Sequence, residues 1–267
     1  MDERLPRLAI SLARGDTPVP ACTDVADYLY DYFMTPISPG RPFGRYQQAC
    51  SIIEIPGSFD GYLSGPAGYA TRRKVRRAER EGYEFREIDP EAWVEDILAV
   101  NRSLPERQGR PIDDAYLVTP TPGRPLANGC PRHREVWFAV IKDDHVVAYT
   151  WVYVAGEMCL LNRILGHGDH MEAGVMYRLI AGTIEQLAPA GIRYVMYERH
   201  TSGSPGLRTF KERMGFAPFW VDWRHADEST PSNQTAFERY QQRQMTPSGP
   251  FRRLARRVRQ RILGLPS

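Results

Sequence analysis

Residues 136–165 constrain the fold more than any other stretch of the chain. Three apolar runs, 136–142, 146–154 and 158–165, are separated by Asp143-Asp144-His145 and Ala155-Gly156-Glu157. Each run has strand length and is rich in β-branched and aromatic residues, and each break is short and turn-forming. The stretch therefore predicts an antiparallel three-stranded meander. The period then changes. After a polar, glycine-bearing loop at 166–172, Met176, Ile180, Ile184 and Leu187 recur every three or four residues, which marks one face of a helix. Pro189-Ala190-Gly191 ends that helix. Residues 192–197 read as a strand, 202–205 as a loop, 206–214 as a helix closed by Gly215, and 216–223 as a last strand.

Upstream, 51–55 reads as a short strand stopped by Pro56-Gly57. Residues 71–81 are strong helix formers that end at Gly82, and 83–88 alternate as a half-buried strand. Asp89-Pro90-Glu91 starts a helix with proline at the first position and acids at the positive dipole end. Residues 105–134 form a long loop region, and 24–32 a helix inside a stretch rich in Pro, Gly and Tyr. A meander followed by βαβ-type crossovers implies a mixed α+β fold: a central, mainly antiparallel, twisted sheet flanked by helices. The expected organisation is an N-terminal extension over 1–50, one lobe over 51–225, a polar linker over 226–250 and a basic helix over 251–267.

Composition narrows the partners. The net charge of +3 is uneven: residues 251–267 hold six Arg and no acid, and without them 29 bases face 32 acids. A uniformly basic nucleic-acid coat is excluded, while local basic devices remain. One is the helix around Arg72, Arg73, Lys74, Arg76, Arg77 and Arg80, readable as a solvated face or as a contact for an anionic donor. The other is the tail, with Phe251, Leu254, Ala255, Val258, Ile262 and Leu265 on one helical face and arginines elsewhere. It can dock on the body, contact an RNA backbone or make a peripheral membrane contact. Cys22, Cys50, Cys130 and Cys159 form no C-x-x-C pair and read as free thiols. The acidic N-terminus and the lack of a long apolar run predict a cytoplasmic protein without a transmembrane segment. His167 and His170 flank Asp169, but no third ligand has a set spacing, so no metal is expected.

Two segments carry a family resemblance. Residues 71–83, TRRKVRRAEREGY, resemble the basic "RRxxRRAExxG" helix that precedes the first strand of a lobe in the Fem family of aminoacyl-tRNA-dependent peptidyltransferases. Residues 206–216, GLRTFKERMGF, are similar to that family's "GLxxFKxxFG" helix. The element order resembles the wider GNAT acyltransferase superfamily, and the likeness covers roughly residues 50–225. Fem proteins carry two such lobes, and this chain has room for one. The resemblance implies an N-acyltransferase, with no tightly bound cofactor, that passes an aminoacyl group from aminoacyl-tRNA to an amine on a small molecule or peptide. An acyl-CoA donor is the alternative, and a non-catalytic RNA- or partner-binding lobe is the other.

Acyl transfer to an amine needs a held donor, a base and a stabilised oxyanion. On the resemblance, Phe210 and Lys211 lie at the transfer site: a Phe face can stack on the terminal adenine, and an ammonium can meet phosphate or an oxyanion. Arg208, Arg73, Arg76, Arg77 and Gly174 belong to donor binding. Gly174 is the one glycine near the helix start, where GNAT enzymes hold a pyrophosphate in Q/R-x-x-G-x-G/A; here Met171 and Met176 replace two motif positions. Tyr197, Glu198 and His200 close a strand where a GNAT sheet splays, so Glu198 or His200 is the candidate base, and Asn162 and Arg163 line the acceptor cleft. Beside these readings stand plainer ones: Phe210 in the core with Lys211 solvated, and a strand-end polar cluster in water.

Overall fold

The computed structural model describes residues 5–12, 20–38, 40, 43–47, 49–65, 68–107, 110–112, 114–118, 130 and 132–224. The linker and the basic tail expected beyond residue 224 lie outside them. In chain order the elements are β1 (Arg7–Ser11), α1 (Pro20–Met34), β2 (Cys50–Glu54), α2 (Phe59–Ser64), α3 (Gly68–Arg80), β3 (Glu84–Ile88), α4 (Val94–Arg102), β4 (Glu106–Arg107), β5 (Arg110–Pro111), α5 (Asp114–Val118), β6 (His133–Lys142), β7 (His145–Ala155), β8 (Met158–Gly166), α6 (Val175–Leu187), β9 (Tyr194–Arg199), α7 (Pro205–Met214) and β10 (Ala217–Arg224).

The mixed α+β architecture expected from the element order is the one observed. Among the described residues one sheet of eight strands runs β1-β10-β2-β9-β8-β7-β6-β3, with a separate β4-β5 hairpin. Only β1–β10 and β8–β9 pair in parallel; the other neighbours are antiparallel. The strand at Arg7–Ser11 has no counterpart in the sequence reading, and it joins the sheet edge beside β10.

Helices cover both faces, which explains why β6 and β7 are apolar almost throughout rather than alternating. Alternation along β6 and β7 sends Trp137, Tyr149, Trp151 and Tyr153 to one face, where Tyr28, Leu29, Tyr32 and Phe33 of α1 and Ile97 and Val100 of α4 meet them. Val136, Phe138, Val140, Val152 and Val154 face the other way, onto Leu179, Ile180, Ile184 and Leu187 of α6, Ala78 of α3 and Met214 of α7. One face is thus aromatic and the other mainly aliphatic.

The helix ends obey local chemistry. Asp89 accepts from the Glu91 amide at 3.0 Å, as the Asp-Pro-Glu start requires. Gly82, at φ 80°, lets the amide of Tyr83 return to the Ala78 carbonyl at 3.0 Å and close α3. In α3, Thr71, Val75 and Ala78 are buried at helical spacing, while Arg73, Arg76, Arg77 and Arg80 are exposed.

Candidate active site

The sheet opens between β8 and β9. They pair only through Met158–Tyr194, Cys159–Val195 and Leu160–Met196, although β8 continues to Gly166 and β9 to Arg199. Each strand carries an irregularity where they part. In β8 the register against β7 slips between the Trp151–Arg163 and Val152–Leu161 pairs, which leaves Asn162 as the extra residue. In β9 the register against β2 slips between Cys50–Arg199 and Ile52–Met196, so Tyr197 and Glu198 oppose Ser51. Glu198 there sits at φ 52°, left-handed for a residue with a Cβ. Such bulges bend a strand and re-aim its side chains. Together they hold a cleft open between the strand ends; Asn162, Glu198 and His200, at or just past those ends, are all half-buried.

Beneath the β9 side of this cleft lies Lys211. The start of α7 is set by Ser204, whose hydroxyl accepts from the Leu207 amide at 3.3 Å, and by Pro205 at the first position. Its end is set by Gly215 at φ 91°. Those caps fix the helix so that Lys211 and Met214 point inward, and Lys211 is 0% exposed. Its ammonium donates to the Arg199 carbonyl at 3.0 Å and the Ser202 hydroxyl at 3.2 Å, and lies 4.6 Å from the centre of the Tyr197 ring. Lys211 is thus neither solvated nor turned to open space; it ties the segment after β9 to α7. Burial lowers its pKa to about 8, against a smaller upward pull from Glu198. Tyr197 is buried edge-on to Phe216, and burial pushes its hydroxyl well above the usual phenol range.

His200 follows the last residue of β9. Its Nδ1 is 3.4 Å from the Ser51 hydroxyl. Its pKa is lowered by burial first, then by the charges of Lys211 and Arg208, with Glu212 opposing. An imidazole held neutral at pH 7 is a proton acceptor.

The donor residues divide. Phe210 is half-buried with its ring edge-to-face on Tyr177 of α6, centroids 5.4 Å apart. Arg208 is exposed on the outer side of α7, and Arg73, Arg76 and Arg77 on the outer side of α3. Arg77 pairs with Glu81 at 2.7 Å. Gly174 precedes α6 at φ 87°, and a Cβ there would meet Lys74 at 3.3 Å, so α3 passes close to the start of α6. The two methionines that break the glycine motif have a packing role. A Cβ on Gly166 would lie 2.6 Å from the Met176 sulfur and 3.0 Å from that of Met171, so both thioethers fill the space over the end of β8.

Arg163 lies on the aromatic face, opposite Trp151 in the sheet. Its guanidinium is 4.0 Å from the ring centre of Tyr116 in α5 and 6.0 Å from that of Trp151. Sequence reasoning missed Tyr116, placed in a long loop, and Tyr177, whose position in the first turn of α6 was legible. It also missed Ser51 and Ser202, for which the sequence carries no signal. His167 and His170 meet edge-to-face with ring centres 5.5 Å apart, and His170 Nδ1 lies 2.8 Å from the Tyr83 hydroxyl. Among the described residues no group of three metal-binding side chains forms, and no helix is long and apolar enough to cross a membrane.

No family model matches the chain, and no curated protein does. Solved structures do resemble it. One is the C-terminal domain named for a lysylphosphatidylglycerol synthetase from Agrobacterium fabrum, at 13% identity over 64% of this chain and 58% of that one, TM-score 0.43. Another is L-PGS from Bacillus licheniformis, at 14% identity over 64% and 58%, TM-score 0.43. A third is a conserved protein of unknown function from Bacteroides thetaiotaomicron, at 16% identity over 64% and 57%, TM-score 0.43. The chain spans less than two thirds of the length of each. Similarity at this level says nothing of activity, which leaves the geometry of the site to carry its chemistry.

Proposed function

We propose that the protein is a GNAT-like N-acyltransferase that moves an aminoacyl group from aminoacyl-tRNA to an amine. The observation that supports this most directly is the cleft between β8 and β9, where a neutral imidazole and a carboxylate stand over a buried lysine. The acceptor amine enters the cleft and attacks the ester carbonyl carbon of the donor. A C–N bond forms, the C–O bond to the ribose breaks, and the ribose oxygen leaves with a proton. His200 takes the proton released by the amine. Its lowered pKa keeps the imidazole unprotonated at pH 7 and so free to accept that proton. Glu198 supplies a negative charge that holds the incoming ammonium at the cleft. Lys211 acts as a positioning residue: it fixes the turn that carries His200, and its charge adds to the burial that lowers the imidazole pKa.

On the donor side, Phe210 and Tyr177 offer an aromatic pair for the terminal base, worth roughly 1–3 kcal/mol. The exposed arginines of α3 face the donor's phosphates, reached past Lys74 at the start of α6. Met171 and Met176 stand at two positions of the glycine motif that a CoA pyrophosphate site uses, and both sulfurs pack over Gly166, which favours tRNA over acyl-CoA. The test examines what the purified full chain retains and what stabilises it. Co-purifying small RNA that carries an aminoacyl ester, consumed when amines are added, supports the proposal. A chain that holds no tRNA and whose melting temperature rises with acetyl-CoA refutes it.

A further inference from the structure

The aromatic face of the sheet contains a buried guanidinium that makes no ion pair among the described residues. Arg163 is 5% exposed, and its Nη1 has no hydrogen-bond partner among the described residues. What surrounds it is aromatic: Tyr116 above, Trp151 beside it, and Tyr149, whose buried hydroxyl feels the guanidinium. That hydroxyl donates to Asn101 Oδ1 at 2.6 Å and its oxygen faces the guanidinium as an acceptor, while Asn101 Nδ2 donates to the Tyr116 carbonyl at 2.8 Å; neither meets Arg163 Nη1. The asparagine therefore pins α5 over Arg163. A second donor on this face is also unmet: the indole N–H of Trp137, which is 0% exposed and stacks on Trp151 at 5.7 Å.

Burying a guanidinium without an acid costs several kcal/mol, and aromatic faces return only part of it. Orphaned buried donors are rare and call for an explanation. At Arg163 and Trp137 the unmet groups are donors, so what completes them must supply acceptors; the buried acid of the same face, Glu135, stands farther along the sheet, opposite Tyr153. We infer that Arg163 is the recognition point for an oxyanion, a phosphate or a carboxylate, carried by the acceptor substrate. The position fits. Arg163 follows Asn162, the bulge residue at the cleft, and the bulge is what turns Arg163 onto the aromatic face beside Trp151. An acceptor can thus place its amine between β8 and β9 and its oxyanion under α5. The guanidinium fork meets such a group bidentately, and the aromatic walls strengthen the bond by excluding water. The inference rests on reading the β8–β9 opening as the acceptor cleft.

The experiment needs no activity. Melting temperatures of the full chain and of R163M are compared in phosphate, acetate and chloride at matched ionic strength. The exposed arginines respond alike in both chains, so the difference reports Arg163. At about tenfold its Kd, an oxyanion should raise the parent's melting temperature by about 3–5 °C over chloride and leave R163M unmoved. In chloride R163M should melt at least as high as the parent, because methionine removes a buried charge and keeps the volume. A response to phosphate alone marks a phosphate-bearing acceptor, and a response to acetate marks a carboxylate. Equal responses in the two chains would overturn the inference, as would no oxyanion response in the parent. An R163M chain that melts well below the parent or fails to fold would overturn it too, since the arginine would then be structural. An Arg163-dependent response in a chain without transfer activity would keep the oxyanion site and remove the acyltransferase reading.

Discussion

Replacing Lys211 with methionine isolates what it costs to bury its ammonium. In the fold Lys211 titrates at about 8 instead of 10.5, because burial outweighs the attraction of Glu198. That difference corresponds to about 3 kcal/mol between the two protonation states. The sign follows from a folded pKa that lies below the unfolded one. Below pH 8 the ammonium persists in both states and folding bears the full cost. Between pH 8 and 10.5 the folded chain gives up the proton first, the unfolded chain binds more protons, and stability rises with pH. Above 10.5 the cost is gone. K211M has no such titration, but it leaves the Arg199 carbonyl and Ser202 hydroxyl without their donor, at about 1–3 kcal/mol. Near pH 7 the two effects oppose each other, and parent and variant should have similar stability. At pH 10.5 only the lost hydrogen bonds remain, and K211M should be weaker by about 1–3 kcal/mol. The assay is urea unfolding of both chains from pH 7 to 10.5, with equal slopes as the check on two-state behaviour. Subtracting the two curves cancels titrations they share, such as those of Tyr62 and Tyr149, which burial also raises. The gap should widen in favour of the parent by about 3 kcal/mol. A gap that does not change with pH would refute the claim that Lys211 is charged and buried in the fold.

Three further outcomes are expected. E198G should fold at least as stably as the parent, gaining up to about 1 kcal/mol from relief of the left-handed backbone, while transfer falls because the carboxylate is lost; denaturation midpoints and transfer rates measured side by side check this. The parent's transfer rate should rise through the acidic range and level off by pH 7, since the His200 pKa lies below its ordinary value. In H200Q that rise should vanish and the rate drop by about 10²–10⁴. R73A/R76A should weaken tRNA binding uniformly across tRNA species and reduce the slope of log K against log salt by roughly two, one for each phosphate contact removed, which a salt titration of filter binding would read.

Much of the fold was legible because its signals are local. The meander over 136–165 declares itself by run length and turn residues, and β6, β7 and β8 occupy it within a few residues. Gly82 and Gly215 close α3 and α7 where the sequence puts them, since φ near +80° to +90° is nearly free only for glycine. The site was legible in composition but not in arrangement. Phe210 and Lys211 are adjacent in sequence on a helix, yet Phe210 turns to Tyr177 and Lys211 to Arg199 and Ser202. An isolated amphipathic helix with a lysine at that position reads as solvated, because burying an ammonium is unfavourable until distant groups receive it.

By itself, then, the sequence determined the order and kind of the elements, the two basic segments, and which residues stand at the end of the strand before α7. Only the tertiary structure decided that β1 completes the sheet edge, that β8 and β9 part at Asn162 and Glu198, and that Arg163 lies under Tyr116. Helix and strand periodicity is set by neighbours within a few residues. Bulges, buried charges and aromatic lids are set by the register of strands far apart in the chain, and their cost is offset only once those strands have met.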